Sequence, residues 1–257
     1  MNTSAFQTQI LAYAAAHKRD LPWRTPYLQP DNQGHLNFYK VFLSEVMLQQ
    51  TQVPRVIQKY HEFLEAFPTM HALAQAALPD VLRVWQGLGY NRRGKYLWQA
   101  AKKLQATSCK LHLTPAELDA LPGIGPATAA SIYCFAYDKP IVFIETNIRK
   151  VFIFHFFPDR DEVNDVDLIP LVRETVDTTN PREWYYALMD YGSYLSKMVP
   201  NPNRRSKHYV RQAKFEGSDR QIRGRLLRDH LAGKKIVLQN ERERTIWKVL
   251  KNEGLIV

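Results

Sequence analysis

Residues 121–132, LPGIGPATAASI, carry the most information about how this chain folds. Gly123 and Gly125 allow a tight turn, because glycine adopts unusual backbone conformations at little steric cost. Small residues follow the turn and let two helices pack closely beside it. The N–H groups that open the second helix would then be uncovered, which favours an anion such as a phosphate group. A plain turn between helices has the same Gly-x-Gly pattern, so the rest of the chain must decide.

Helical signals surround this turn. Residues 4–17 and 38–53 carry apolar side chains at helical spacing. Thr114 and Glu117 match a capping box, with Pro115 at the first helical position. Only 11 of the 257 residues are glycine, and few stretches alternate between apolar and polar residues. The sequence therefore predicts an all-α protein.

The composition excludes several classes of protein. Hydrophobic residues make up 45% of the chain, which is enough for a buried core. No apolar run reaches the roughly 18 residues that a membrane span needs, and the N-terminus lacks the basic start of a signal peptide. Cys109 and Cys134 form neither a metal-binding spacing nor a disulfide framework. We expect a cytoplasmic protein with no membrane partner.

The excess positive charge lies at the C-terminal end. Residues 201–257 hold 15 Lys and Arg against 6 Asp and Glu, whereas residues 1–200 hold 20 against 19. A basic segment of this kind indicates a polyanionic partner, most often nucleic acid. The alternative is a solvated basic tail that only raises solubility.

Several further motifs occur in a fixed order along the chain: LPWR at 21–24, LSEVMLQQTQV at 43–53, GLGY at 87–90, ETN at 145–147 and ALMDYG at 187–192. Together with the turn, they resemble the helix-hairpin-helix base-excision DNA glycosylases, nearest to the endonuclease III and MutY group. The resemblance covers roughly residues 4–195. Its second block is highly specific, because it matches the MutY signature almost residue for residue.

The resemblance implies two catalytic carboxylates. Breaking a glycosidic bond needs a general acid for the departing base and a fixed carboxylate for the cationic sugar. Glu45 would be the acid, its pKa raised by apolar neighbours. Glu145 would be the fixed carboxylate, oriented by Asn147. The simpler alternatives are a buried Glu45 paired with Arg24 and a Glu145 that caps a helix, although a capping residue can also face the sugar.

Two departures from the family pattern concern the chemistry. Glu145 stands where the family has Asp, and a displacement near 1 Å can cost about a hundredfold in rate. Ala127 stands where bifunctional relatives carry Lys, so no Schiff base with the sugar can form. The resemblance therefore implies a monofunctional enzyme with water as the nucleophile.

The resemblance also implies how DNA is contacted. Gln49 and Gln50 would wedge into the duplex and contact the widowed base, although an exposed polar face is the alternative. Tyr90 would stack on bases. Arg92, Arg93 and Lys95 are candidate phosphate contacts, and a solvated helix face is the alternative. The remaining predicted DNA contacts belong to the LPWR motif, the turn and the basic run: Arg24, Gly123, Gly125, Ala127, Thr128, Arg204, Arg205, Lys207 and Arg211.

Relatives in this group hold an iron–sulfur cluster on four cysteines after the helix that contains LMDYG. Residues 193–212 of this chain contain no cysteine. We therefore predict no iron–sulfur cluster, no other metal ligands and no cofactor, with the basic run 204–214 taking over the cluster's structural and DNA-contacting role. A monovalent cation at the hairpin is compatible with this prediction.

The resemblance implies two helical domains with the active cleft between them. A multi-helix domain at 27–138 would carry Glu45 and the hairpin, and residues 1–26 with 139–215 would form the second domain. Residues 216–257 would be a small basic extension, either helical or winged-helix-like. The expected protein is a monomeric glycosylase that removes adenine opposite guanine or 8-oxoguanine in double-stranded DNA. A thymine or uracil mismatch glycosylase and a non-catalytic mismatch-binding protein are the alternatives.

Overall fold

The computed structural model describes residues 2–24, 37–106 and 112–256, so Cys109 and the predicted domain boundary at residue 27 lie outside the described residues. The α-helices of this part are α1 (Thr3–His17), α2 (Phe38–Leu48), α3 (Val53–Ala66), α4 (Met70–Gln75), α5 (Leu78–Trp85), α6 (Arg92–Ala106), α7 (Pro115–Asp119), α8 (Pro126–Tyr137), α9 (Thr146–Phe156), α10 (Asp165–Thr175), α11 (Pro181–Met198), α12 (Asp219–Leu231) and α13 (Glu241–Asn252). A 3₁₀ turn spans Pro202–Arg205. Extended pairing in the described part is limited to one bridge, between Val163 and Ser206. The all-α prediction is confirmed.

The chain divides into two compact units. Unit 1 comprises Met1–Val41, Thr114–Asp119 and Gly125–Arg211, and unit 2 comprises Phe42–Leu113, Ala120–Ile124 and Gln212–Val257. Residues 38–41, α7 and α8 fall in unit 1 and not with the predicted domain 27–138. Residues 212–215 and the C-terminal extension belong to unit 2.

Unit 1 is built around α11. Trp184, Tyr185 and Leu188 of this helix are at most 1% exposed. Helix α8 belongs to the same core because Phe135 stacks on Tyr186, with ring centres 4.8 Å apart. Aromatic side chains of this size bury large apolar areas, and each contributes about 1.5–3 kcal/mol when fully buried. The position of α8 therefore follows from its own apolar face.

Unit 2 contains a second core that involves the C-terminal extension. Leu226 and Leu227 of α12 and Leu250 of α13 are buried together with Leu82 of α5. Gly254 ends α13 with φ +60°, a left-handed conformation that glycine adopts readily, and the next two residues are buried in the same cluster. Described residues 212–256 contain helices and no strand, which favours the helical alternative for the extension over the winged-helix-like one.

None of the described helices is long and apolar enough to cross a membrane.

Candidate active site

The Gly-x-Gly turn joins α7 to α8. The predicted capping box is present before it, since Thr114 N donates to Glu117 Oε2 at 2.9 Å and Glu117 N to Thr114 Oγ1 at 3.3 Å. Gly123 has φ +75°, and a Cβ there would lie 2.8 Å from Tyr96, so both backbone and space require glycine. Apart from its chain neighbours, no described residue lies within 4 Å of a Cβ built on Gly125, which caps α8. The open space at Gly125 would let an anion approach the helix N-terminus.

Glu145 is the N-cap of α9. Its Oε1 accepts from the backbone N–H of Asn147 at 2.7 Å and of Ile148 at 2.9 Å. Its Oε2 receives one longer bond of 3.4 Å, from the Asn147 side chain. Two backbone donors and the positive end of the α9 dipole thus hold the carboxylate in one orientation. The capping alternative is correct, and it leaves the carboxylate fixed as the predicted catalytic role requires.

A buried lysine lies behind this carboxylate. Lys150 is 5% exposed, and its ammonium donates to Asn147 Oδ1 at 3.2 Å, to the Gly192 carbonyl at 3.0 Å and to Ser196 Oγ. A Cβ on Gly192 would lie 2.7 Å from Asn147 Cβ, so glycine lets α11 approach α9 this closely. The predicted orienting role of Asn147 therefore has a physical basis, because both ends of its amide are hydrogen-bonded.

Burial and charge act in opposite directions on Glu145. Burial raises the pKa of Glu145 above its usual value, while the bonds from the backbone N–H groups of Asn147 and Ile148 and the positive charges of Lys150 and Arg149 lower it; burial dominates. Burial likewise lowers the pKa of Lys150, against the opposing effect of the Glu145 charge. Arg149 is itself engaged, because its guanidinium forms two bonds of 2.7 Å with Asp165.

Replacing Lys150 by Met should raise the pKa of Glu145 further, because the substitution removes a cation that favours the ionised carboxylate. The carboxyl carbon shift of Glu145, followed by NMR against pH, measures this directly. Lys150→Arg should restore the pKa toward the parent value, and Lys197→Met, at an exposed position of α11, should leave it unchanged. An unmoved titration in Lys150→Met would show that the lysine is only a packing residue.

Glu45 lies in α2 between two buried neighbours, Ser44 and Val46, and is itself half-buried. The end of this helix is held by Arg93. This guanidinium is 8% exposed and donates to the carbonyls of Val46 at 2.9 Å and Met47 at 3.0 Å. The same side chain also donates to the Leu88 and Gly89 carbonyls and to Thr51 Oγ1.

The predicted phosphate contact of Arg93 is therefore wrong, since the side chain is buried and its Nη1 and Nη2 groups donate to neutral oxygens inside unit 2. Burial lowers the pKa of the Arg93 guanidinium to about 10. Because Arg93 joins the end of α2 to the GLGY loop, it fixes Glu45, Gln49 and Tyr90 relative to one another.

Gln49, Gln50 and Tyr90 all lie on turns of unit 2. Gln49 Nε2 donates to the Gly123 carbonyl at 3.2 Å, which ties the end of α2 to the hairpin turn. Gln50 is exposed with φ +56°, and Tyr90 is 38% exposed with φ +47°. Left-handed backbone at two exposed residues other than glycine costs free energy and is typical of functional turns. The wedge and stacking roles stay predictions.

Two of the predicted DNA contacts have partners inside unit 1. Arg24 is 2% exposed, pairs with Asp190 at 2.9 Å and lies 4.3 Å from the centre of the Tyr186 ring. Its partner is thus Asp190, and its role is to hold unit 1 together. Arg205 donates through Nη1 to the carbonyls of Phe157, Pro158 and Arg160, so it holds the backbone that follows α9. Arg24 is buried and cannot reach a phosphate without leaving Asp190, whereas a phosphate contact of the half-buried Arg205 stays a prediction.

The remaining predicted contacts stay on the surface. Arg204 and Arg211 are exposed, and neither guanidinium has a partner among the described residues. Lys207 is exposed and forms an ion pair of 3.1 Å with Glu162. Ala127 is exposed in the first turn of α8, and Thr128 beside it is half-buried. An exposed methyl group at position 127 offers no amine to a sugar.

Sequence reasoning missed two residues of the site, Lys150 and Gly192. A signal existed for the first, since Asn147 and Lys150 are three residues apart and share a helix face. Gly192 belongs to the ALMDYG motif, but its close approach to Asn147 depends on how α9 and α11 pack and leaves no local pattern.

The described residues contain no group of three or more His, Cys, Asp or Glu side chains placed to hold a metal. Ser206 and His208 occupy the basic run in which cysteine ligands would be needed, and residues 193–212 offer no thiolate, so these donors do not fit an iron–sulfur cluster. That the protein has no cofactor stays a prediction, and so does a monovalent cation at the hairpin. One turn carbonyl, that of Gly123, already accepts from Gln49.

Comparisons with known proteins agree with this geometry. The family model of the HhH-GPD superfamily base excision DNA repair proteins matches residues 43–168. An adenine DNA glycosylase of Mycobacterium tuberculosis is 32% identical over 252 residues, covering 86% of this chain and 76% of that one. Two solved structures share the fold: a thermostable thymine-DNA glycosylase, with TM-score 0.65, 20% identity and coverage of 74% of this chain and 86% of that one, and endonuclease III in a non-covalent DNA complex, with TM-score 0.59, 14% identity and coverage of 76% and 87%.

Proposed function

The chain belongs to the HhH-GPD superfamily of base excision DNA repair proteins, and we propose that it is a monofunctional DNA glycosylase that removes adenine mispaired with guanine or 8-oxoguanine. The observation that carries this proposal is the Glu145 carboxylate, held by two N–H groups at the start of α9 in a chain 32% identical to an adenine DNA glycosylase. A DNA N-glycosylase of this family needs a fixed anion near the sugar, and Glu145 meets that requirement.

Glu145 would act on the developing charge of the sugar. When the bond between base and sugar breaks, the sugar becomes oxocarbenium-like, and a fixed carboxylate stabilises that cation without reorganising. The half-buried setting strengthens the interaction, because fewer water dipoles screen it. Lys150 and Asn147 keep the carboxylate oriented through the bonds described above.

Glu45 would protonate the departing adenine. A neutral carboxylic acid is needed for this step, and Glu45 is the half-buried carboxyl group of α2 that would supply the proton. Water completes the reaction as nucleophile, since Ala127 supplies no amine for a covalent intermediate. The expected products are free adenine and an abasic site, with an intact strand until alkali is added.

A panel of duplexes tests the function. Each duplex carries one mispair, and incubation with the protein is followed by alkali, which cleaves any abasic site. Strand cleavage only with adenine opposite guanine or 8-oxoguanine is expected. Cleavage at thymine or uracil opposite guanine would favour the second candidate, which is supported by the name of a structural neighbour, the thymine-DNA glycosylase. Binding without base release at stoichiometric protein would favour a non-catalytic mismatch-binding protein.

We further propose that double-stranded DNA is held in part by the exposed cations Arg204 and Arg211. Changing both to Gln should weaken binding and reduce the slope of log affinity against log salt by about 1 to 2, because each phosphate contact releases about one counterion. Titrations at several salt concentrations measure the slope. Arg244→Gln, which removes an exposed charge from α13 that pairs with Glu241, is the matched control. An unchanged slope in the double variant would contradict the assignment.

A further inference from the structure

Two side chains of the C-terminal extension converge on Tyr90. Gln212 Nε2 donates to Tyr90 Oη, and Arg220 Nη1 donates to the same oxygen at 3.1 Å. The Arg220 guanidinium lies 5.9 Å from the centre of the Tyr90 ring, and its Nη2 donates to the Ala213 carbonyl at 2.6 Å. Arg220 thus donates to its own segment through Nη2 and to Tyr90 through Nη1.

Tyr90 is held in a conformation that packing alone does not require. Its φ of +47° is left-handed, which costs about 1–3 kcal/mol for a bulky residue, and its side chain is still 38% exposed. Arg93 lies on the same ring, 5.5 Å from its centre. Tyr90 thus has an exposed ring, a strained backbone and two arginines beside the ring. These features are typical of a preorganised binding surface and not of a core residue.

The extension is anchored firmly enough to set this geometry. Leu226 and Leu227 of α12 are buried against Leu82 of α5. The last turn of α13 is attached as well, because Glu253 pairs with Arg223 and its carbonyl accepts from Lys95 Nζ. Arg220 lies two turns before Leu227 on α12, so its position follows from a buried core in unit 2.

The two hydrogen bonds that Tyr90 Oη accepts leave its hydroxyl proton available for donation. A phenolic oxygen accepts two bonds and donates one. Gln212 and Arg220 occupy both acceptor positions, and no described residue receives the hydroxyl proton. The ring and the outward donor together suit a nucleic-acid base, because every base has a π face and its edges carry acceptors in both grooves.

We propose that the C-terminal extension is a specificity element of this glycosylase: Arg220 and Gln212 are positioning residues that hold Tyr90 against the mispaired site of the duplex. This inference rests on the proposed function and names the part of the chain that distinguishes a mispaired duplex from a paired one. It assigns to residues 212–231 a role that the basic charge of the segment alone does not specify.

The test uses the full chain and two duplexes of the same sequence, one with an A·G pair and one fully paired. Their dissociation constants are measured at one salt concentration, together with the single-turnover rate of base release and the melting temperature. Arg220→Ala should reduce the preference for the A·G duplex about tenfold, the loss expected when a stacking residue is misplaced. The rate constant at saturating protein should fall by less than this preference does.

Coupling between the residues separates positioning from a simple charge effect. Tyr90→Phe removes the shared oxygen, so Arg220→Ala combined with Tyr90→Phe should lose no more preference than the larger single loss. Arg220→Lys keeps the charge and should restore general affinity without restoring the preference. Arg244→Ala, an equal change of charge on α13, should leave the preference unchanged.

Two results would overturn the inference: equal loss of affinity for both duplexes in Arg220→Ala, and additive losses in the double variant. A parent protein that prefers the A·G duplex but releases no base would overturn the proposed catalytic function and leave the binding test intact. If the parent releases adenine and Arg220→Ala keeps the full preference, the inference alone fails.

Discussion

Replacing Glu145 by Gln is expected to slow base release by about 10²–10³-fold, the usual loss when one electrostatic partner of a transition state is removed. The amide keeps the size of the side chain and one oxygen that can accept from the N–H groups of Asn147 and Ile148. The α9 cap should therefore persist, and the melting temperature should stay near that of the parent. Only the negative charge that the proposed mechanism places against the sugar is lost. Single-turnover assays on an A·G duplex measure the effect.

Two companion variants sharpen this result. Glu145→Asp keeps the charge and introduces a better N-cap residue, so it should retain most of the activity. Glu241→Gln makes the same chemical change on an exposed residue of α13 and should have no effect. Full activity in Glu145→Gln would exclude the electrostatic role. Equal loss in Gln and Asp would show that side-chain length matters more than charge.

The raised pKa of Glu145 also predicts the pH dependence. In the proposed mechanism the ionised carboxylate is the active form, and its fraction falls as the pH drops through a pKa that burial has raised. Base release should therefore decline on the acidic side at a higher pH than an exposed glutamate would give. Lys150→Met raises that pKa further, so its acidic limb should move to still higher pH, as a rate profile between acid and neutral conditions would show.

The sequence predicted the local structure around Glu145 better than it predicted the partners of the arginines, for a physical reason. Glu145 and Asn147 lie at a helix N-terminus, which is a local feature, so three consecutive residues are enough to indicate it. An arginine acts through whatever carbonyls or carboxylates the fold brings to it. Arg24, Arg93 and Arg205 look like exposed cations in the sequence, yet Arg24 pairs with Asp190 and the other two donate to backbone carbonyls.

The same distinction applies to the fold. Helices α1 and α7 were predictable because their apolar spacing and capping box are local. The placement of α8 in unit 1 and of α12 and α13 in unit 2 was not, because it depends on which apolar faces meet. The role proposed for the extension depends on the bonds from Arg220 and Gln212 to Tyr90, which join residues more than 120 positions apart and leave no local pattern.

Replacing Glu45 by Gln is expected to lower the rate of base release by about 10²–10⁴-fold, the usual contribution of a general acid. The isosteric amide preserves packing beside Ser44 and Val46, so stability should change little. The effect should depend on the leaving group, because a base that departs easily needs less protonation. The test uses a second duplex, in which the target adenine is replaced by a purine that leaves more readily. With this duplex, Glu45→Gln should lower the rate of base release much less than it does with the adenine duplex.

Glu145→Gln supplies the contrast, because the sugar carries positive charge whichever base departs. Its loss of rate should be similar for both purines, and this difference separates an acid that protonates the base from an anion that stabilises the sugar. A Glu45→Gln variant that loses the same factor with both purines would contradict the acid role and leave Glu45 as a second electrostatic or packing residue.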